Sequence, residues 1–349
     1  MKRSMVALLF FSVLSLFSFV SRADSVLHIF TWEDYLDPDV VAEFEKTHHI
    51  KLKFSYFQNE EKRDRIMATR NGQGFDLILM DGLTAEAYIK LGWVAPLTET
   101  EVPNLKFNND LWRSHQPALV GYVAPYAWGT QGVAYRSDLV RPISRFMQLF
   151  RPADELKGKI VMTPQATEML PIALQTLGYD MYDESPRALT LAAELIAAQK
   201  PHVLTYRSLK TNGESLLVTG EAVAAVTYSG DALMLKQYNP NIEYRLPEEG
   251  GIVWFDYFIV SRYASDPEAA YAFLNFISEP RNAARNCEFT YSATYNEEAL
   301  KILPEELLAN QIVFPAINPR MGTHKAPSTL YKRRMMSIWH NLGFEQILQ

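Results

Sequence analysis

Three short stretches of the chain set aromatic side chains beside carboxylates: Thr31-Trp32-Glu33-Asp34-Tyr35, Tyr228-Ser229-Gly230-Asp231 and Trp254-Phe255-Asp256. The chemistry this pairing suits is the holding of an organic cation. An ammonium gains about 0.5 to 2 kcal/mol from the face of an indole or phenol ring once desolvated, and burying its charge requires an opposing carboxylate. A flexible diamine or triamine needs several carboxylates set apart, with apolar walls between them for its methylenes. Each stretch also has a plainer account. A Trp at a strand end commonly packs in a core or a domain interface, and a nearby Asp, such as Asp34 or Asp231, commonly caps a helix. Recurrence of the pattern favours the binding account without naming the ligand.

Catalytic signals are missing from the sequence. There is no Gly-x-Ser-x-Gly elbow, Walker loop, Gly-x-Gly-x-x-Gly fingerprint or His-Glu-x-x-His. His48 and His49 are adjacent, so on a helix end they point apart and read as surface residues rather than metal ligands. A single cysteine, Cys287, permits neither an intrachain disulfide framework nor a Cys-based zinc site. The 40 Asp and Glu residues offer carboxylate pairs, but nothing singles one out for general acid–base work. Ferric sites want clustered Tyr or His and anion sites want helix N-termini or Arg, whereas these stretches are aromatic and acidic. No enzyme, metal or cofactor is expected.

The elements that must position the three stretches alternate. Val26–Phe30 reads as a strand, residues 38–46 as a helix, Ile50–Tyr56 as a second strand, and 60–71 as a polar helix stopped by Gly72 and Gly74. A short buried strand at 75–80 and a helix at 84–91 follow. This rhythm predicts an α/β domain with a largely parallel sheet. Residues 122–135 break it with aromatics, glycines and short β-prone pieces. A new rhythm then begins: a strand at 159–162, helices at 168–177 and 189–199, and a strand at 222–228. Two domains of similar build are implied. The strand at 252–260 and the amphipathic helix at 267–277 predict that the chain crosses between them more than once. Ligands of open α/β sheets bind beyond the carboxyl ends of strands, where the first two stretches fall.

Size and charge agree with a soluble binder. At 349 residues and 48% hydrophobic, the chain can bury two cores, and it carries no basic tract suited to nucleic acid. Lys2 and Arg3 precede an apolar run from Met5 to Val20, and Ser21-Arg22-Ala23 carries the small residues of a cleavage site, so residues 1–23 read as a signal peptide removed after Ala23. The run is shorter than the roughly 20 residues that span a bilayer. Removal leaves 31 basic against 40 acidic side chains, an acidic mature protein expected in the periplasm.

The sequence resembles the periplasmic polyamine-binding proteins, the spermidine and putrescine binders of bacterial transporters. The resemblance rests on Phe30-Thr31-Trp32-Glu33-Asp34-Tyr35, Phe75-Asp76-Leu77-Ile78, Pro125-Tyr126-Ala127-Trp128-Gly129, Leu177-Gly178-Tyr179 and Glu249-Gly250-Gly251-Ile252-Val253-Trp254-Phe255-Asp256, in that order. It implies a two-lobed α/β fold with crossing segments and a ligand cleft between the lobes. One lobe would comprise residues 24–123 with 257–305, the other 124–256 with 306–349.

Carried over position by position, the resemblance implies that Trp32 and Tyr35 wall the cleft and that Trp254 and Asp256 supply an indole and a carboxylate. Glu168 would take a terminal amine, and Tyr228 would stand where spermidine binders have a Trp. Asp231, Tyr291 and Ser208 complete the implied set. The chain departs from the pattern at Asp81-Gly82-Leu83, where a ring is lost and an acid gained, and at Gln165, where an acid is lost. The implied partners are a polyamine and a membrane protein. The latter would be either an ABC-type permease or, as for the family's norspermidine sensor, a cyclic-di-GMP signalling protein that regulates biofilm formation. The protein is expected to act as a monomer.

Overall fold

The structure, a computed structural model, describes residues 25–316, 321–323 and 328–344. The expected signal peptide lies outside these residues. Among them, no helix is long and apolar enough to cross a membrane.

Ten strands form one sheet: β1 (Ser25–Thr31), β2 (Ile50–Tyr56), β3 (Leu77–Asp81), β4 (Val123–Arg136), β5 (Ile160–Met162), β6 (Val203–Tyr206), β7 (Ala224–Tyr228), β8 (Ile242–Arg245), β9 (Ile252–Val260) and β10 (Gly322–Thr323). Their order is β2-β1-β3-β9-β4-β7-β5-β6, with β8 on β4 and β10 on β9. β2 alternates Ile, Leu and Phe with Lys51 and Lys53. It lies at one end of the sheet with both lysines exposed, which blunts that edge.

β1, β2 and β3 are mutually parallel, as are β5, β6 and β7, and β4 and β9 join the two groups by antiparallel pairing. The register fixes where the groups aim. β3 ends with Asp81 opposite Asp256 of β9, and β7 ends with Tyr228 opposite Gln131 of β4. In the β4–β9 pair, Ala127 faces Asp256, Gly129 faces Trp254 and Gln131 faces Ile252. The carboxyl ends of both parallel groups therefore converge on one stretch of the two shared strands, which is where such sheets bind ligands.

The 122–135 region, read from sequence as separate β-prone pieces, is one 14-residue strand. Its register shifts between Pro125 and Ala127. A proline cannot donate to a ladder, so a bulge is where an inner strand tolerates one, and a bulge bends and twists the strand that carries it.

Each half has its own core. Leu27, Ile29, Val40, Phe44, Leu77, Phe258 and Phe273 pack around the first parallel group, with the helix Pro267–Ile277 against it. Ile160, Met162, Met169, Ile196 and Val226 pack around the second, joined by Tyr331, Met335 and Trp339 of the helix Thr329–Asn341.

Candidate functional site

From β1 the chain enters a tight turn in which Asp34 adopts φ 54°. Asp37, rather than Asp34, caps the next helix, accepting from the Asp39 amide at 2.8 Å. The turn leaves Trp32 edge-on to Phe57, with ring centroids 4.3 Å apart, and Tyr35 tilted against Tyr126 at 5.6 Å. The Tyr35 hydroxyl donates to Asp256 Oδ2 at 2.7 Å, and the Tyr126 hydroxyl donates to the Tyr35 carbonyl at 2.6 Å.

Asp81 ends β3 and caps the helix Gly82–Lys90. Its Oδ1 accepts the Leu83 and Thr84 amides at 2.8 and 3.0 Å, and its Oδ2 accepts from Thr84 Oγ1 at 2.7 Å and Arg63 Nη2 at 3.2 Å. The acid gained at this position is thus spent largely on its own helix and on a buried guanidinium. Arg63 also pairs with Asp64 at 3.0 Å. Burial alone would lower the Arg63 pKa, but Asp64, Glu60 and Asp81 outweigh it and hold the group firmly charged.

Across the cleft, Glu168 is buried in the first turn of the helix Ala166–Thr176, where the helix dipole favours a negative charge. It accepts from the Tyr228 hydroxyl at 2.7 Å, Gln131 Nε2 at 2.7 Å, Gln165 Nε2 at 3.0 Å and Thr163 Oγ1 at 2.5 Å. Gln165, where an acid was lost, therefore supports the remaining one. Tyr228 stands edge-on to Trp254, 6.2 Å between centroids at 86°. The Trp254 indole lies flush over Gly129, where an added Cβ would come within 2.5 Å of the ring. Asp231 sits in the first turn of the helix Ser229–Tyr238, whose N-cap position is Tyr228, so Asp231 is not the capping residue.

Burial, partly offset by the Tyr35 hydrogen bond, pushes Asp256 from its ordinary 3.8 up to about 7. Burial likewise pushes Asp231 up to about 6. Tyr35 and Tyr228 are raised well above the ordinary phenol range, first by burial and then by Asp256 and Glu168 respectively, so both remain neutral donors. The group is aromatic-walled, rich in carboxylates and short of positive charge.

The structure brings together Tyr35, Asp81, Glu168, Tyr228, Asp231, Trp254 and Asp256, while Trp32 stands one ring away against Phe57, which the Arg63 guanidinium overlies at 5.4 Å. Tyr291 comes close: it ends the helix Pro280–Thr290 in a left-handed conformation and accepts from Gln237 Nε2 at 2.7 Å. The backbone there abuts Gly230, next to Asp231. Ser208 stands exposed on the loop leaving β6, the strand at the far end of the sheet from β2. Sequence reasoning missed Gln131, Tyr126, Arg63 and Glu60. Among the described residues, no group of three His, Cys, Asp or Glu side chains could hold a metal ion.

A two-lobed sheet whose parallel groups meet over an aromatic and acidic cleft on shared strands defines a solute-binding protein. The chain belongs to the bacterial extracellular solute-binding proteins, whose family model matches residues 39–313. It is 28% identical over 313 residues to the putrescine-binding periplasmic protein SpuD of Pseudomonas aeruginosa, covering 84% of each chain. It is 29% identical over 283 residues to the norspermidine sensor of Vibrio cholerae, covering 80% of this chain and 77% of that one. Among solved structures, a putative spermidine/putrescine ABC transporter protein from Listeria monocytogenes superposes with a TM-score of 0.80 at 27% identity, over 93% of this chain and 99% of that one.

Proposed function

We propose that the protein is a periplasmic polyamine binder that captures its ligand between the lobes and presents it to an ABC-type permease. In this reading the lobes are residues 24–123 with 257–305 and 124–256 with 306–349. The ligand-binding set is Trp32, Tyr35, Asp81, Glu168, Ser208, Tyr228, Asp231, Trp254, Asp256 and Tyr291, and the protein acts as a monomer. The observation that carries it is the pairing of ring and acid on both sides of the cleft: Tyr35 on Asp256 at 2.7 Å and Tyr228 on Glu168 at 2.7 Å, with Trp254 between the two pairs. Ammonium ends would meet the carboxylates, and the methylenes would lie along the indole and phenol faces. Closure of the lobes on the ligand creates the shape a membrane partner reads. Calorimetric titration with putrescine, cadaverine, spermidine, norspermidine and spermine tests this, and absence of binding to all five overturns it.

A second reading gives the same binding a signalling output, docking of the closed form on a membrane cyclic-di-GMP protein that regulates biofilm formation. Similarity to the Vibrio norspermidine sensor supports it. A knockout separates the two: polyamine uptake falls if the protein delivers and is unchanged if it only senses.

A further inference from the structure

The helix Glu60–Thr69 follows β2 and is capped by Asn59, whose Oδ1 accepts the Lys62 amide at 2.7 Å. Its first residue, Glu60, precedes Arg63 by three positions, so the two share a helix face. That face looks into the cleft, since Arg63 reaches Asp81 at 3.2 Å and Asp81 is the register partner of Asp256. Glu60 is half-buried there, within electrostatic reach of Asp81, Glu168, Asp256 and Tyr228.

What sets Glu60 apart is its lack of a hydrogen-bonding partner: Arg63 is close enough to act on its charge but points its nitrogens elsewhere. Tyr35 serves Asp256, four donors serve Glu168, and Asp81 is held by its helix and by Arg63. Among the described residues, no hydrogen bond or ion pair reaches the Glu60 carboxylate. Arg63 turns its nitrogens instead to Asp64, Asp81 and Thr84. Burial and the neighbouring carboxylates press Glu60 toward its neutral form and outweigh the opposing charge of Arg63. A second atom nearby is also unserved. Gln131, 2% exposed, must turn its Nε2 toward Glu168, an acceptor, and its buried Oε1 is left without a donor. A half-buried acid within electrostatic reach of Glu168 and a buried amide oxygen on the side chain bonded to it, both lacking donors, describe a place for a group with several N–H bonds and a positive charge.

We propose that Glu60 is a specificity-determining residue: a carboxylate station additional to Asp81, Glu168, Asp231 and Asp256 that makes the cleft select triamines over diamines. This rests on the polyamine-binding reading above. A diamine engages Asp256 and Glu168 and leaves Glu60 unmatched. A triamine supplies a third ammonium, which offsets the repulsion among the acids and gives Glu60 the hydrogen-bonding cation that Arg63 does not.

The test is a calorimetric comparison of wild type, Glu60→Gln and the exposed neighbouring control Glu61→Gln against spermidine, norspermidine, putrescine and cadaverine. Thermal melts check that each variant is folded. The expected result is a loss of about tenfold or more in triamine affinity for Glu60→Gln, a change of no more than about twofold for the diamines, and wild-type behaviour for Glu61→Gln. Equal losses for both ligand classes, or no loss for either, overturn the assignment while leaving the polyamine reading intact. A wild-type protein that binds none of the four, and no spermine either, overturns both.

Discussion

Tyr35 and Asp256, 221 positions apart in the chain, are joined by a 2.7 Å hydrogen bond that ties the loop after β1 to the shared strand β9. The bond fixes the carboxylate against a ring that stays protonated, so one oxygen of Asp256 is already served, and under the proposed function the other would meet the ligand.

Replacing that carboxylate is the most direct challenge to the site. Asp256→Asn leaves a captured ammonium without its counter-charge, a loss of about 3 kcal/mol by analogy with broken buried pairs, or roughly a hundredfold in Kd. Isothermal calorimetry at neutral pH reads this directly. Wild-type affinity in the variant means that the amine sits elsewhere.

Acid should weaken binding. An ammonium favours ionised Asp256 and Asp231, which in the free protein titrate near 7 and 6, so affinity is expected to rise between pH 5 and 7.5, with protons released on binding. The ligand itself stays charged over this range. Stability of the free protein runs the other way. A carboxyl raised on folding contributes fully below about pH 4, and that contribution is lost as the pH climbs through 6 and 7. The melting-temperature increase produced by a polyamine is therefore larger at pH 7.5 than at pH 5. Tyr35→Phe removes the bond that lowers the Asp256 pKa and should move the binding profile to still higher pH.

Gly129→Ala tests the seating of Trp254. The new methyl would stand 2.5 Å from the indole, so the ring must shift, at a cost of about 1 to 3 kcal/mol. Weaker polyamine binding with an altered tryptophan emission maximum is expected. An unchanged Kd would mean that the indole face is not a contact surface.

Arg63→Met tests stability. The guanidinium is buried and bridges Asp64, Asp81 and Thr84, so its loss takes the counter-charge from Asp81, which keeps only its helix donors, and should cost about 3 kcal/mol in denaturant unfolding. Asp64 is 43% exposed and contributes the smaller share.

The strands at 50–56 and 252–260 and the helix at 267–277 were legible to the residue, because each carries an unbroken apolar period ended by clear punctuation. β4 was not. Pro125, Gly129 and Gly132 look like breaks, and only its pairing with β7, β8 and β9 shows why a strand persists through them. In the site, the aromatic and acidic trios announced themselves by composition. Glu60 did not, since an acid at the start of a helix reads as ordinary dipole compensation until the fold turns that turn inward. Asp81 illustrates the reverse: its acidity was visible, but its capping of the helix Gly82–Lys90 appears only in the geometry.

The irregularity at Pro125–Ala127 lies where the sheet passes from one half to the other, and the residue within it, Tyr126, grips the main chain of Tyr35. Under the proposed function, the ring that would wall the ligand is tied through one hydroxyl to the bend in β4, so a ligand that displaces Tyr35 would pull on the segment that joins the two halves.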